Sequence, residues 1–332
     1  MARVVRFHEL GGPEVLRVEE HDPGAPGPGE VLLDVEAIGL NRSEANFRRD
    51  RYLDRVAALP SGLGYEGAGR VRAIGPDVTG LRPGDPVSVL PLFAQSRYHM
   101  YGEQAVVPAS ALVPRPASVD AITGAALWMP FLTAYGALLD VGRLRAGDHV
   151  VITAASSSVG LAAIQIALRA AVVPIATTND PGKRQRLLDA GAAHVLISGH
   201  DDVTTAILDL TAGRGADLVF DAVAGPDIEE LAAATARDGV LLVHGSLSGR
   251  PTPLPGLSAM RPVFTRPYTV FEITADPQRL ARARHYITTG ALRPVIDRTF
   301  ALADIVEAHR YLESNAQVGK IVVTTARDEA KP

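Results

Sequence analysis

The spacing of apolar positions divides the chain in two. Residues 4–7 are short and β-prone. Residues 31–38 (VLLDVEAI) alternate apolar with polar or small side chains, the period of a strand with one buried face. Between them, residues 21–30 (HDPGAPGPGE) carry prolines and glycines that neither a helix interior nor a central strand accepts. Two more β-like runs, 68–74 and 86–90, flank the turn segment GPDVTGLRPGD. Residues 43–51 predict a short helix, and its charge places it at the surface. Strands do not alternate with helices here, so an antiparallel, barrel-like domain is expected.

The rhythm changes near residue 121. Residues 122–140 read as helix, 148–155 (DHVVITAA) as a continuous apolar strand, and 159–171 (VGLAAIQIALRAA) as a helix apolar nearly all round. Strands at 172–177, 193–197, 216–221 and 239–243 then alternate with helices at 182–190, 202–212 and 227–237. Near-continuous apolar strands alternating with helices indicate a parallel sheet covered on both faces. Residues 249–267 are rich in proline and glycine. The tail predicts two amphipathic helices, 277–290 and 302–314. A last strand at 319–324 is placed to pair back with the N-terminal domain.

Composition narrows the function. The 332 residues are 47% hydrophobic and 21% charged, a globular balance that excludes intrinsic disorder. With a formal net charge of −4 and dispersed basic residues, nucleic acid is not an expected partner. The opening residues lack a signal-peptide run, and no run of about 18 apolar residues is evident, so a cytoplasmic protein without a membrane partner is expected. The absence of cysteine excludes disulfides, a thiolate nucleophile, iron–sulfur clusters and cysteine-bound zinc.

The strand DHVVITAA runs straight into AASSSVGLAAIQIA. A strand, a turn of tiny residues and an apolar helix form a dinucleotide-binding unit, in which pyrophosphate sits on N–H groups at the helix start. Against G-x-G-x-x-G the turn reads Ala155-Ser156-Ser157-Ser158-Val159-Gly160, keeping only the last glycine. The next strand ends in Thr177-Thr178-Asn179-Asp180, followed by Lys183-Arg184. Two hydroxyls and two cations suit the 2′-phosphate of NADPH, through hydrogen bonds and charge. Ala222-Val223 and His244-Gly245-Ser246 end two further strands, where ligands of open α/β sheets bind.

Several motifs in order give the chain its resemblance: GPEVLRVEE, PGPGEVLLDVEAIGLNRSEANFRRDRY, PSGLGYEGAGRVRAIGPDV, FLTAYGAL, AASSSVGLAAIQIA and VGKIVV. It resembles the medium-chain dehydrogenase/reductase superfamily over nearly its whole length. The resemblance implies an α/β fold: a GroES-like β-barrel catalytic domain from residues 1–121 and 268–332, and a Rossmann doubly wound parallel-sheet domain from 122–267. Zinc alcohol dehydrogenases carry a cysteine where this chain has Asn41, and a histidine where it has Tyr65. Neither replacement is an ordinary zinc ligand, so no metal is expected. The zinc-independent branches look closer. NADPH quinone oxidoreductases share Asn41 and the P-S-G-L-G-x-E turn at 60–66. Mitochondrial-type enoyl-thioester reductases carry an N-x-S-D-x-N run followed six residues later by tyrosine, matched here by residues 41–46, with Glu44 in place of the aspartate, and Tyr52.

Both branches imply hydride transfer from NADPH to an electron-poor carbon of a quinone or α,β-unsaturated carbonyl. Donors must stabilise the resulting oxygen and a weak acid must supply a proton. By resemblance Tyr52 contacts that oxygen or delivers the proton, and Asn41 fixes the nicotinamide or the substrate carbonyl. Tyr65 faces the substrate or fills the space of a metal. Thr133 contacts the cofactor and Phe271 lies near the nicotinamide. An enoyl-thioester reductase of acyl-CoA or polyketide intermediates is the alternative, with Arg48, Arg49 and Arg51 free to meet a carrier phosphate. A non-catalytic, crystallin-like NADPH-binding protein is a third reading, supported by the two missing motif glycines. Relatives dimerise through the Rossmann sheet edge, so a homodimer or homotetramer is expected, with residues 268–273 (YTVFEI) as the pairing strand.

Overall fold

The structure, a computed structural model, describes residues 1–255 and 262–326. In chain order the first elements are β1 (Ala2–Phe7), β2 (Leu16–His21), β3 (Glu30–Gly39), α1 (Arg42–Phe47), β4 (Gly67–Ile74), β5 (Pro86–Val89), β6 (Gln104–Pro108) and β7 (Leu112–Pro114). Helix α2 (Ala121–Tyr135) runs into a π-helical turn, Gly136–Val141. There follow β8 (His149–Ile152), α3 (Ser158–Arg169), β9 (Val173–Thr178), α4 (Arg184–Asp189), β10 (His194–Ile197), α5 (Val203–Leu210), β11 (Ala216–Asp221), α6 (Ile228–Ala233) and β12 (Thr235–Val243). After β13 (Phe264–Pro267), α7 (Phe271–Thr274) and α8 (Pro277–Thr289), the chain closes with β14 (Ile296–Ala301), α9 (Ile305–Ser314) and β15 (Lys320–Thr324). Packing separates Met1–Met129 with Arg293–Pro332 from Pro130–Leu292. Both crossings fall later along the chain than the expected 121/122 and 267/268.

In the first unit, β3 is the hub. Its alternating side chains leave its backbone to pair antiparallel with β4, β6 and β15, and β14 adds parallel to β15. The closing strand therefore does return to the N-terminal sheet. The first turns of α2 pack on this sheet through small residues: Ala37 and Ala68 of the sheet meet Ala125 and Ala126 of the helix, beside Val322. A Cβ on Gly39 would lie 2.0 Å from the Ala125 carbonyl oxygen, so only glycine lets the helix approach so closely.

The expected surface helix at 43–51 is corrected. Helix α1 is shorter, and it buries Glu44, Ala45, Phe47 and the adjoining Arg48. Its charges are paired internally, which is what permits burial. Arg48 donates to the Gly11 carbonyl, to His309 Nδ1 at 2.8 Å and to Glu313 Oε1 at 2.5 Å, while Arg49 takes the other Glu313 oxygen at 2.5 Å. His309, buried beside these arginines, is held well below the usual imidazole range by desolvation first and by the cations second.

In the second unit all six strands are parallel, in the order β10-β9-β8-β11-β12-β13. Numbered along the chain this is 3-2-1-4-5-6, the doubly wound Rossmann order. One face buries Val151, Ile175, Val219 and Leu241 against Val203, Ile207, Ile228 and Leu231 of α5 and α6. Two expectations fail locally. Helix α6 ends at Ala233 rather than 237, and Thr235 instead opens β12 opposite Ala216. Residues 268–273 are not the edge strand. That edge is β13, exposed along its whole length, whereas Tyr268 is buried with its hydroxyl donating to the Thr133 carbonyl at 3.0 Å. Tyr268 N–H still donates to the Val243 carbonyl at 2.9 Å, and the run then turns into α7 instead of extending the ladder. One helix, Ala121–Val141, is after all long and apolar enough to cross a membrane, but most of it is buried within the protein. It reads as a core helix.

Candidate active site

In the first unit four polar side chains from distant parts of the chain form one buried network. Asn41 precedes α1, Glu44 lies in its first turn, Glu66 precedes β4, and Lys320 opens β15. The Lys320 ammonium donates to Asn41 Oδ1 and to Glu66 Oε2, both at 2.6 Å. Glu66 Oε1 accepts from the Met129 N–H at 2.8 Å. Glu44 Oε2 accepts from the Asn41 N–H at 2.7 Å, and Glu44 Oε1 from Asn41 Nδ2 at 3.2 Å. Glu44, Glu66 and Lys320 are all essentially inaccessible to water. Desolvation pushes the Glu44 carboxyl up to about 7 even though the Lys320 charge pulls it down.

Aromatic rings adjoin this network. Tyr52 meets the buried Tyr65 edge-on at 6.2 Å between centroids, and Tyr65 lies 6.0 Å from Phe93. Burial raises both phenols above their ordinary range, and the carboxylates Glu44 and Asp54 add to the effect at Tyr52. Each is therefore a neutral hydroxyl at physiological pH. Asp54 fastens the segment that carries Tyr52, accepting from the Ser96 N–H at 2.8 Å and its hydroxyl at 2.7 Å. The structure thus brings Asn41, Tyr52 and Tyr65 into one neighbourhood with Glu44.

The basic run 48–51 behaves otherwise than expected. Arg48 and Arg49 are committed to Glu313, so of the three arginines only Arg51 presents an exposed side chain.

In the second unit the turn after β8 is built from backbone. Ser157 caps α3, its Oγ accepting from the Gly160 N–H at 3.0 Å. The N–H groups of Ser158 and Val159 are left at the positive end of a twelve-residue helix. A Cβ on Gly160 would lie 2.5 Å from the Ala155 carbonyl oxygen, so the one retained motif glycine is required by packing. Lys183 is buried and its ammonium lies 3.4 Å from Ser156 Oγ. Thr177 and Thr178 are buried at the adjoining end of β9. A helix start, small residues and an aimed ammonium fit the phosphates of a dinucleotide.

Other expected cofactor residues fall out differently. Arg184 turns away, donating to the Val195 carbonyl at 2.7 Å and pairing loosely with Asp201. Asp180 caps the turn after β9, its Oδ1 accepting from the Gly182 N–H at 2.8 Å. Ala222 and Val223 follow β11 in a turn held by Asp221 and Thr153: Ala222 N–H donates to Thr153 Oγ1 at 2.8 Å, and Val223 N–H to Asp221 Oδ1 at 3.1 Å. His244 stacks on Phe220 at 4.0 Å and is held neutral by desolvation. Gly245 is packed so closely that a Cβ would lie 2.5 Å from the Ala222 carbonyl oxygen, and Ser246 lies beyond it, exposed. Thr133 is buried in α2, and Phe271 opens α7.

Sequence reasoning missed Lys320 as a site residue. The available signal was a single cation inside the apolar run VGKIVV, since a buried lysine demands a partner. Which partner could not be read from the run. Among the described residues no three His, Asp or Glu side chains gather as metal ligands.

Residues 27–124 match the alcohol dehydrogenase GroES-like domain, and residues 190–323 match the zinc-binding dehydrogenase family. The chain is 33% identical to a quinone oxidoreductase of Pseudomonas aeruginosa, over 97% of this chain and 99% of that one. A mycobacterial structure complexed with NADPH superposes with a TM-score of 0.87 at 30% identity, covering 98% of this chain and all of the other. The CurK enoyl reductase superposes with a TM-score of 0.86 at 25% identity, covering 98% and 99%. With the GroES-like and Rossmann architectures both present and the match spanning its length, the chain belongs to the medium-chain dehydrogenase/reductase superfamily and resembles its quinone oxidoreductases.

Proposed function

We propose that this protein is an NADPH-dependent, zinc-independent reductase of quinones or α,β-unsaturated carbonyls. The observation that carries the cofactor choice is Lys183, a buried ammonium aimed at Ser156 in the turn that opens α3. With Thr177 and Thr178 it offers a 2′-phosphate charge and hydroxyls, while the N–H groups of Ser158 and Val159 suit the pyrophosphate. When bound, NADPH supplies the hydride.

The chain's own residues do the rest. Tyr52, a phenol kept protonated by its surroundings, donates a hydrogen bond or proton to the substrate oxygen. Tyr65 packs behind it and limits its motion. Zinc independence is supported by what surrounds Asn41: the ammonium of Lys320 already bridges Asn41 and Glu66, so a metal at Asn41 would meet a cation. The alternative, an enoyl-thioester reductase, is supported by the Asn41–Glu44–Asn46–Tyr52 arrangement, but the commitment of Arg48 and Arg49 to Glu313 leaves only Arg51 of its three expected phosphate contacts. The exposed ladder of β13 supports assembly into a homodimer.

Titration with NADPH and NADH, followed by initial rates on a quinone, an enone and a crotonyl thioester, tests the reading. Tighter binding of NADPH and turnover of a quinone or enone are expected. Absence of NADPH binding sinks the proposal, and turnover of the thioester alone transfers it to the alternative.

A further inference from the structure

We infer that Asp221 is a positioning residue for the nicotinamide half of the dinucleotide: with Thr153 it fixes the turn after β11 in the shape on which that half rests. The inference rests on the reading above, in which NADPH binds at the ends of these strands, and deepens it by assigning what holds the half remote from the 2′-phosphate.

The direction of the ligand follows from the sheet order. Strand β8 lies between β9 and β11. In that reading the pyrophosphate sits at the turn after β8, and the 2′-phosphate beside Thr177, Thr178 and Lys183, after β9. The adenosine half is then on the β9 side. The other half extends the opposite way, over the end of β11.

That end is held by a closed set of hydrogen bonds. Thr153, one residue past β8, donates its hydroxyl to Asp221 Oδ1 at 2.6 Å and accepts from the Ala222 N–H at 2.8 Å. Asp221 Oδ1 also accepts from the Val223 N–H at 3.1 Å, and Oδ2 from the Ala224 N–H at 2.8 Å. Three successive N–H groups are thereby turned inward. The Ala222 and Val223 carbonyls accept from the N–H groups of Leu247 and Ser248, at 3.1 and 3.0 Å, which fastens the turn after β12 to the same assembly. Asp221 is fully buried, so water does not compete for its oxygens. Ala224 has a φ of 54°, a left-handed conformation that an alanine keeps only where its surroundings impose it. Its bond to Asp221 imposes it here.

The two turns beside β8 and β11 therefore differ in what they offer a ligand. The start of α3 leaves the N–H groups of Ser158 and Val159 for an anion. The turn after β11 has spent its N–H groups on Thr153 and Asp221, so it suits the nicotinamide ring and not a phosphate.

The test separates the two halves of the ligand. In Asp221→Asn either orientation of the amide points an N–H at the N–H of Val223 or of Ala224. Titration calorimetry is run with NADPH and with 2′,5′-ADP, which carries the adenosine and the 2′-phosphate but no nicotinamide. The NADPH dissociation constant is expected to rise about tenfold, with 2′,5′-ADP bound as in wild type. Thr153→Val removes the hydroxyl but keeps the shape, and should show the same split more weakly, while Thr153→Ser binds NADPH as wild type does. Equal losses for both ligands would overturn the inference. So would unchanged affinities beside a lowered melting temperature, which would make the pair purely structural, or a Thr153→Ser as weak as Thr153→Val. If Asp221→Asn does not fold, the two Thr153 variants decide by the same split. A wild type that binds 2′,5′-ADP but holds NADPH no tighter overturns this inference alone. One that binds neither removes the functional reading beneath it.

Discussion

The two units build their candidate sites in opposite ways. In the first, Asn41, Glu66 and Lys320 come from far-apart segments and are joined by one ion pair and one charge–dipole contact in a dry interior. In the second, the turn Ala155–Gly160 acts through backbone groups that a helix start provides by itself, with Lys183 arriving from the next βα turn. A side-chain network in a low dielectric is costly to break, because every group left unpaired stays desolvated. A backbone cradle tolerates change at its side chains but not at its glycine. That contrast gives graded predictions.

The largest effect is expected at Lys320. Lys320→Met leaves Glu66 buried and charged, which costs about 3–5 kcal/mol, and should appear as a large drop in melting temperature. A small drop would mean that Glu66 finds water or another donor. Next is pH. Glu44 titrates near 7 in the folded protein against 4.5 as a model carboxyl. An acid with a raised folded value binds its proton more tightly in the native state. The stability it contributes is full below 4.5 and is lost as pH rises through 7. From the two values this amounts to about 3 kcal/mol. Wild type should gain stability on acidification from pH 8 to 5 more steeply than Glu44→Gln, and parallel melting curves for the two would contradict the desolvation of Glu44.

Tyr52→Phe removes the hydroxyl but keeps the ring against Tyr65. Turnover of the accepted substrate should fall about a hundredfold, with little change in melting temperature, and unchanged turnover takes Tyr52 out of the chemistry. In the second unit, Lys183→Met should weaken NADPH about tenfold, the worth of one charge-assisted hydrogen bond, while leaving NADH nearly unaffected. Equal losses for both would mean that Lys183 serves the turn and not the 2′-phosphate. The smallest effect belongs to a surface contrast. The half-exposed pair Arg266–Glu272 should change stability by about 1 kcal/mol or less in Arg266→Ala, measured by the same melts.

Much of the fold was legible because its periodicity is local. The ten-residue alternation of β3, the apolar runs of β8 and β11 and the start of α3 all follow from neighbours in sequence. β7 and β13 were not legible, since three residues or the exposed, mostly polar FTRP carry no apolar run and owe their pairing to a partner strand. The same holds for α1. Its arginines and Glu44 read as a solvated face, and their burial rests on partners that the run does not show: Glu313 and His309 from the far end of the chain for Arg48, and Asn41 for Glu44.

For the sites, the sequence by itself determined the βα turn and the hydroxyls and lysine beside it, while Asn41, Tyr52 and Tyr65 were singled out by family resemblance. Tertiary structure alone decided where the charges go: Lys183 toward Ser156 but Arg184 away, Arg48 inward onto His309, and Lys320 between Asn41 and Glu66. The physical reason is range. Backbone conformation and amphipathic period are set within a few residues. The state and direction of a buried charge are set by whichever groups the fold brings within hydrogen-bonding distance.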